Sequence, residues 1–174
     1  KGNNDEAVEH FQSALELKPE AASLYQRIAD IHFGADQFCQ AVEAFRRYLE
    51  QRPDDHTVKP RYAISLGQTR RFEEAIAVLQ GLPAEMREHV QVITMLSTLF
   101  MEAGQPEIAL NVLRQGPTRK RKLDADLLLF FYTLGMAYKE NGDAKKAAAQ
   151  WQKVAAEDIN FLDVQDQLSA LSPE

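Results

Sequence analysis

Ala7, Ala41, Ala75 and Ala109 stand 34 residues apart, and each is followed four positions later by a large apolar residue: Phe11, Phe45, Leu79 and Leu113. After a 38-residue step the pattern returns at Ala147 with Trp151. Residues four apart share one face of an α-helix, so the chain writes one amphipathic helix five times. A unit of this length cannot bury its apolar face alone, and such units must stack on their neighbours. The four extra residues before the fifth alanine amount to about one helical turn. They fall near Asp124 to Leu127, lengthening either the linker or the start of the helix that follows.

A second signature lies upstream of the alanines: Tyr25, Ile28-Ala29 and His32; Ile93, Leu96-Ser97 and Phe100; Phe131, Leu134-Gly135 and Tyr138. Bulky residues at this spacing form one apolar stripe, and the small residue beside the stripe lets a neighbouring helix approach closely. Breakers separate the two signatures: Gly2 to Asp5, Gly34-Ala35-Asp36, Gly67-Gln68-Thr69, Ala103 to Pro106 and Asn141-Gly142-Asp143. Glycine ends a helix by taking the left-handed conformation, and Asp5 or Asp143 is placed to cap the next one. Pro19 and Pro53, again 34 apart, close their units. The pattern predicts helices over 4–17, 22–34, 38–51, 58–68, 72–81, 85–103, 106–115, 125–141, 143–157 and 163–171, and no strand.

In its order of large, large-small, large, alanine, aromatic and proline at a 34-residue period, residues 1–161 resemble the tetratricopeptide repeat. The resemblance implies an all-α fold, a right-handed superhelix (α-solenoid) of antiparallel helix pairs. It divides the chain into 1–21, the second helix of a truncated first repeat; a repeat over 22–55; a divergent repeat over 56–89; a repeat over 90–123; an insertion at 124–127; a repeat over 128–161; and a capping helix and tail over 162–174. The divergent unit has Lys59 where a bulky residue is usual, Arg70 at the turn glycine and Arg87 in place of the closing proline. Phe161, Val164, Leu168 and Leu171 make the stripe of the capping helix, with Asp163, Gln165, Asp166 and Gln167 on its other side. Because the chain begins in mid-repeat, Val8, Phe11 and Leu15 are expected to be covered by upstream residues or by another copy, which makes a homo-oligomer through the N-terminal helix one expectation.

The resemblance also implies a non-catalytic scaffold that binds a peptide or helix of a partner protein in a concave groove lined by the first helix of each unit. On those helices the residues outside the packing signature include Gln26, Asp30, Phe33, Arg61, Ile64, Thr94, Thr98, Met101, Leu129, Tyr132, Met136 and Lys139. Apolar anchors among hydrogen-bonding groups suit a peptide or amphipathic helix, with Tyr132 and Met136 as the expected anchors. One branch of the family grips a C-terminal carboxylate with a lysine, asparagine and arginine set. Here Gln26 and Asp30 occupy the first places and only Arg61 is compatible, so no such grip is expected. The alternatives are a regulatory segment of a larger enzyme and a self-assembling structural scaffold.

Charge and motif content narrow the remaining classes. The 20 basic and 26 acidic residues divide evenly between the halves, leaving −6 overall and no basic face for phosphates, so nucleic acid is not an expected partner. The longest apolar run, Leu127 to Tyr132, is far short of the roughly 20 residues that span a bilayer. A single cysteine, Cys39, reads as a buried structural thiol, and His10, His32, His56 and His89 are too scattered for a local metal motif. There is no phosphate loop, His-Glu-x-x-His, Gly-x-Ser-x-Gly or paired cysteine. The acid pairs Asp54-Asp55 and Glu73-Glu74 read as solvated, and neither enzyme activity nor a cofactor is expected. Arg119-Lys120-Arg121-Lys122 reads as a solvated loop, with a nuclear address, an anionic-partner dock or a protease-sensitive site as the sharper alternatives. The default location is the cytoplasm.

Overall fold

A computed structural model describes residues 2–117 and 123–171, with side chains from Asn4 onward; the basic cluster 119–122 lies outside them. The described residues form eleven α-helices and no strand, in two compact units, Lys1–Pro83 and Ala84–Glu174. In the first unit α1 (Gly2–Leu17) packs on α2 (Ala22–Gly34), α2 pairs with α3 (Phe38–Gln51), α3 touches α4 (Lys59–Gln68), and α4 pairs with α5 (Phe72–Gln80). In the second, the one-turn α6 (Ala84–Arg87) precedes the pair α7 (Val90–Glu102) and α8 (Pro106–Leu113). The pair α9 (Ala125–Glu140) and α10 (Ala144–Glu157) packs on these, and α11 (Val164–Leu171) closes on α10.

The register alanines explain the pairing. Ala41, Ala75, Ala109 and Ala147 are all 0% exposed, as are Phe45, Leu79, Leu113 and Trp151 four residues on. The small residues of the facing helices, Ala29, Ala63 and Ser97, are equally closed off, and Gly135 is buried. Each pair therefore meets small against large, which lets the backbones come close. Ala7 is only half-buried. Val8, expected to need a cover, is already buried as α1 packs on α2, and Phe11 and Leu15 are half-buried.

Each complete pair turns on the same device. Asp36, Arg70, Gly104 and Gly142 have φ of 56°, 61°, 74° and 77°, at steps of 34, 34 and 38 residues. The next residue's N–H reaches back to close the turn: Gln37 to His32, Arg71 to Leu66, Gln105 to Phe100 and Asp143 to Tyr138, at 2.8–2.9 Å. This is the Schellman closure, which satisfies the last carbonyls of the preceding helix. The first turn is thus made by Asp36, whereas Gly34, the expected breaker, is the last residue of α2. Arg70 adopts a conformation that costs a side-chain-bearing residue about 1–2 kcal/mol, offset partly by its guanidinium lying 5.7 Å from the Phe72 ring. Arg70→Gly should therefore raise the stability of its unit by about 0.5–1 kcal/mol, read as a higher urea midpoint at unchanged slope.

Several expectations are corrected. The helix read as 85–103 is two, because His89 is extended (ψ 134°) between α6 and α7. Asp5 lies inside α1, in its first turn and not ahead of it, whereas Asp143 does accept the Lys146 N–H at 3.1 Å. Asp124 caps α9 through the Leu127 N–H at 3.0 Å. The residues near this point lengthen the helix, for ten residues of α9 precede Gly135 where seven of α7 precede Ser97. Cys39 is exposed; it shares the solvent side of α3 with Glu43 and Arg47, opposite Ala41, Val42 and Phe45. Asp55 is no idle surface acid. Its carboxylate accepts from Thr57 Oγ1 and Tyr48 Oη, both at 2.5 Å, and from the Thr57 N–H at 3.0 Å, bracing the α3–α4 turn. The Thr57 and Tyr48 hydroxyls hold the Asp55 carboxyl below its usual range.

Candidate functional site

The expected groove residues fall on α2 and α4 in the first unit and on α7 and α9 in the second. On α2, Phe33 is drawn into packing, edge-on to Phe38 at 6.0 Å and Phe45 at 6.4 Å. Arg61 on α4 binds Asp30 on α2 at 2.6 Å, with its guanidinium 6.0 Å from the Phe45 ring. That cation is thereby neutralised by its neighbour. Gln26 and Ile64 are half-buried beside them.

The second unit brings the apolar candidates together. Thr98 and Met101 of α7 and Leu129, Tyr132 and Met136 of α9 line a cavity of about 700 Å³, completed by Thr133, Glu102, Glu140, Gly104 and Pro106. These residues converge because α7 and α9 lie side by side, and positions three and four apart repeat on one face of each. Leu129 is among the exposed large apolar side chains, and Met101 and Met136 are half-buried. A cavity with an apolar lining and a few polar groups is the usual form of a recognition pocket. Thr94 is the exception among the candidates. At 4% exposure, with its hydroxyl donating to the Val90 carbonyl at 2.8 Å, it offers nothing to a partner.

Two candidates have a double role. The Tyr132 hydroxyl donates to Asp163, and its ring lies 6.2 Å from Phe161 and 6.4 Å from Trp151. Lys139 donates to Gln167 at 2.8 Å, and Gln167 donates to Asp163 at the same distance. Asp163 and Gln167, expected on the solvent side of the capping helix, instead tie it and the turn before it to α9, while Val164 is fully buried beneath. Burial, then the bond to Asp163, pushes the Tyr132 phenol up, and that bond holds the Asp163 carboxyl down. The contact is therefore complete across neutral pH, weakening only as acid protonates Asp163 or as strong alkali ionises Tyr132.

Sequence reasoning missed Glu102, Gly104, Pro106, Thr133 and Glu140. The two glutamates were within reach of the same periodicity, since Glu102 follows Thr98 by four and Glu140 follows Met136 by four. A second cavity, of about 770 Å³, is lined by Arg87, Glu88, Val90, Gln115, Pro117 and Asp124 among others. Among the described residues no group of three or more His, Cys, Asp or Glu is placed to hold a metal ion, and no helix is long and apolar enough to cross a membrane.

Residues 1–66 and residues 130–158 each match a model described as tetratricopeptide repeat. No curated protein matches the sequence. Solved structures with the same fold include MamA 41-end from Desulfovibrio magneticus RS-1, with a TM-score of 0.76 at 17% identity over 92% of this chain and 89% of that one. TTC0263, a thermophilic TPR protein in Thermus thermophilus, gives 0.65 at 16% identity over 98% and 91%. YrrB, described as a TPR protein with an unusual peptide-binding site, gives 0.67 at 19% identity over 94% and 82%. At such identities the likeness is one of fold. The repeat models, the alanine register and the fourfold turn agree, and the chain belongs to the tetratricopeptide repeat family.

Proposed function

We propose that the chain is a protein-interaction scaffold whose second unit takes an apolar side chain of a partner's peptide or helix into the cavity between α7 and α9. The observation that carries this is the gathering of Met101, Leu129, Tyr132 and Met136 around one open cavity. Methionine is unbranched and adapts to the shape of an inserted side chain, and Tyr132 is held in place by Asp163 and the rings behind it, so less order is lost on binding. Repeats of this family are generally non-catalytic, which accords with the chemistry of the residues at this site. YrrB, a relative in fold, is described as having a peptide-binding site.

The test is affinity capture with the full chain, compared with a Met101→Ala/Met136→Ala variant. A partner enriched by the first and lost with the second identifies the ligand and its site together; partners retained equally by both would remove the cavity from the interaction. With that partner in hand, Met136→Ala alone should weaken binding at least about tenfold by calorimetry, as truncating an anchor does. Unchanged affinity would exclude Met136 as an anchor.

The first unit is not expected to grip a free C-terminal carboxylate. Arg61 already satisfies Asp30, and the Asp30 carboxylate would repel an arriving one at short range. A peptide ending in a free carboxylate and its amidated form should bind equally weakly, and sub-micromolar affinity confined to the free acid would contradict this.

A further inference from the structure

The cavity between α7 and α9 carries a charge pattern that an apolar anchor does not require. Glu102 is the last residue of α7 and Glu140 the last of α9, and both are exposed at its edge. No lysine or arginine is among the residues that line it. The aligned peptide dipoles of a helix leave partial negative charge at its C-terminus. Two helix ends and two carboxylates thus add to one negative potential over a single opening.

Some exposed acids of the chain are matched from their own helix or its cap, Glu43 and Glu50 by Arg46 and Arg47, Glu74 by Arg71 and Asp143 by Lys146, and are thereby committed. Among the described residues no ion pair involves Glu102 or Glu140. Lys139, next to Glu140 in sequence, is turned to Gln167. We infer that the segment received here is basic, an apolar side chain flanked by lysine or arginine whose charges meet Glu102 and Glu140 while the apolar group enters among Met101, Leu129 and Met136. Docking a neutral or acidic segment would instead strip water from two carboxylates without giving them a counter-charge. This specificity rests on the cavity being the binding site.

The chain has four methionines, of which Met101 and Met136 line the cavity and Met86 and Met95 do not. Methionine-methyl carbon-13 labelling of the full chain therefore reports occupancy at the site. Three synthetic peptides of equal length serve as probes: a central Phe-Leu pair flanked by lysines, the same pair flanked by glutamates, and the lysine peptide with serines in place of the pair. The lysine-flanked apolar peptide should shift the Met101 and Met136 methyls alone. It should bind about tenfold more tightly than the glutamate-flanked one, a margin that falls as salt is raised. Glu102→Lys should remove most of that margin while leaving the melting temperature unchanged or higher, because a lysine suits a helix C-terminus.

Equal shifts from the lysine and glutamate peptides would overturn the charge selection and leave the cavity standing as a binding site. Equal binding by the serine peptide, with the two methyls unmoved, would overturn it in favour of diffuse attraction to an acidic surface. No shift of Met101 or Met136 with any peptide at millimolar concentration would overturn both the selection and the cavity reading beneath it.

Discussion

Replacing Trp151 with alanine should lower the stability of the Ala84–Glu174 unit by about 4 kcal/mol, the middle of the range for removing a buried aromatic side chain. Trp151 is 0% exposed and the largest fully buried side chain of the molecule's described part. It is the common support of α9, α10 and α11: its Nε1–H donates to the Tyr132 carbonyl at 3.1 Å, the Tyr132 ring lies 6.4 Å away, and Val154, Val164 and Leu134 share its cluster. The hydrogen bond contributes little to the loss, since donor and side chain leave together and an internal helix carbonyl keeps its i+4 N–H. The cost is the cavity. Because the indole is the only tryptophan, the unfolding curve must be followed by circular dichroism rather than fluorescence, and a lower urea midpoint at constant slope is the expected form. A loss below about 2 kcal/mol would mean that α9 and α10 collapse onto the space, outside the range for such a truncation.

Trp151 is visible in the sequence because it follows Ala147 at the distance that separates Phe11 from Ala7. What a register reveals is the core, since a stacked unit has to place the same small and large groups at each contact. The left-handed turn position is only partly visible. Gly104 and Gly142 declare it, but Asp36 and Arg70 do not; stepping back 34 residues from Gly104 identifies them, whereas the nearby Gly34 misleads. The break at His89 is hidden for a similar reason. Glu85 to Glu88 are good helix formers and carry no glycine or proline, yet two repeat lengths beyond Ala22 lies residue 90, where α7 begins. The tertiary register overrides local propensity.

The site is less legible than the fold. Periodicity places Thr98, Met101, Tyr132 and Met136 on the correct faces, and the structure brings them to one cavity. It could not show that Thr94 bonds back into its own helix, that Asp30 consumes the charge of Arg61, or that Asp163 and Gln167 reach across to α9. Each of these is a contact between side chains about 30 residues apart, or a rotamer choice within one turn, and neither leaves a repeat in the sequence. The exposure of Cys39 is decided by rotation about the α3 axis, readable from its offset of two from Ala41, and composition alone points the wrong way.

Gly135→Ala should destabilise the same unit by about 2.5 kcal/mol, even though alanine is the better helix former by about 1 kcal/mol. A Cβ built on Gly135 would stand 2.2 Å from Trp151 Nε1 and 2.6 Å from its Cδ1 and Cε2. Real contacts do not approach so closely, and a rigid ring buried among Leu134, Val154 and Val164 has nowhere to retreat. Gly34→Ala supplies the contrast. Gly34 is helical too, but a Cβ there meets nothing within 4 Å, so that change should be neutral or stabilising by up to about 1 kcal/mol. A double-mutant cycle isolates the cause. In the Trp151→Ala background the obstructing ring is gone and only helix propensity remains, so Gly135→Ala should become stabilising by up to about 1 kcal/mol. The sign reversal amounts to a coupling of about 3 kcal/mol, the upper end for residues in contact. An equal penalty in both backgrounds would show that glycine is needed at 135 for its backbone and not for the space it leaves. The interpretation of every small residue in this register, Ala29, Ala63 and Ser97 included, would then have to change with it.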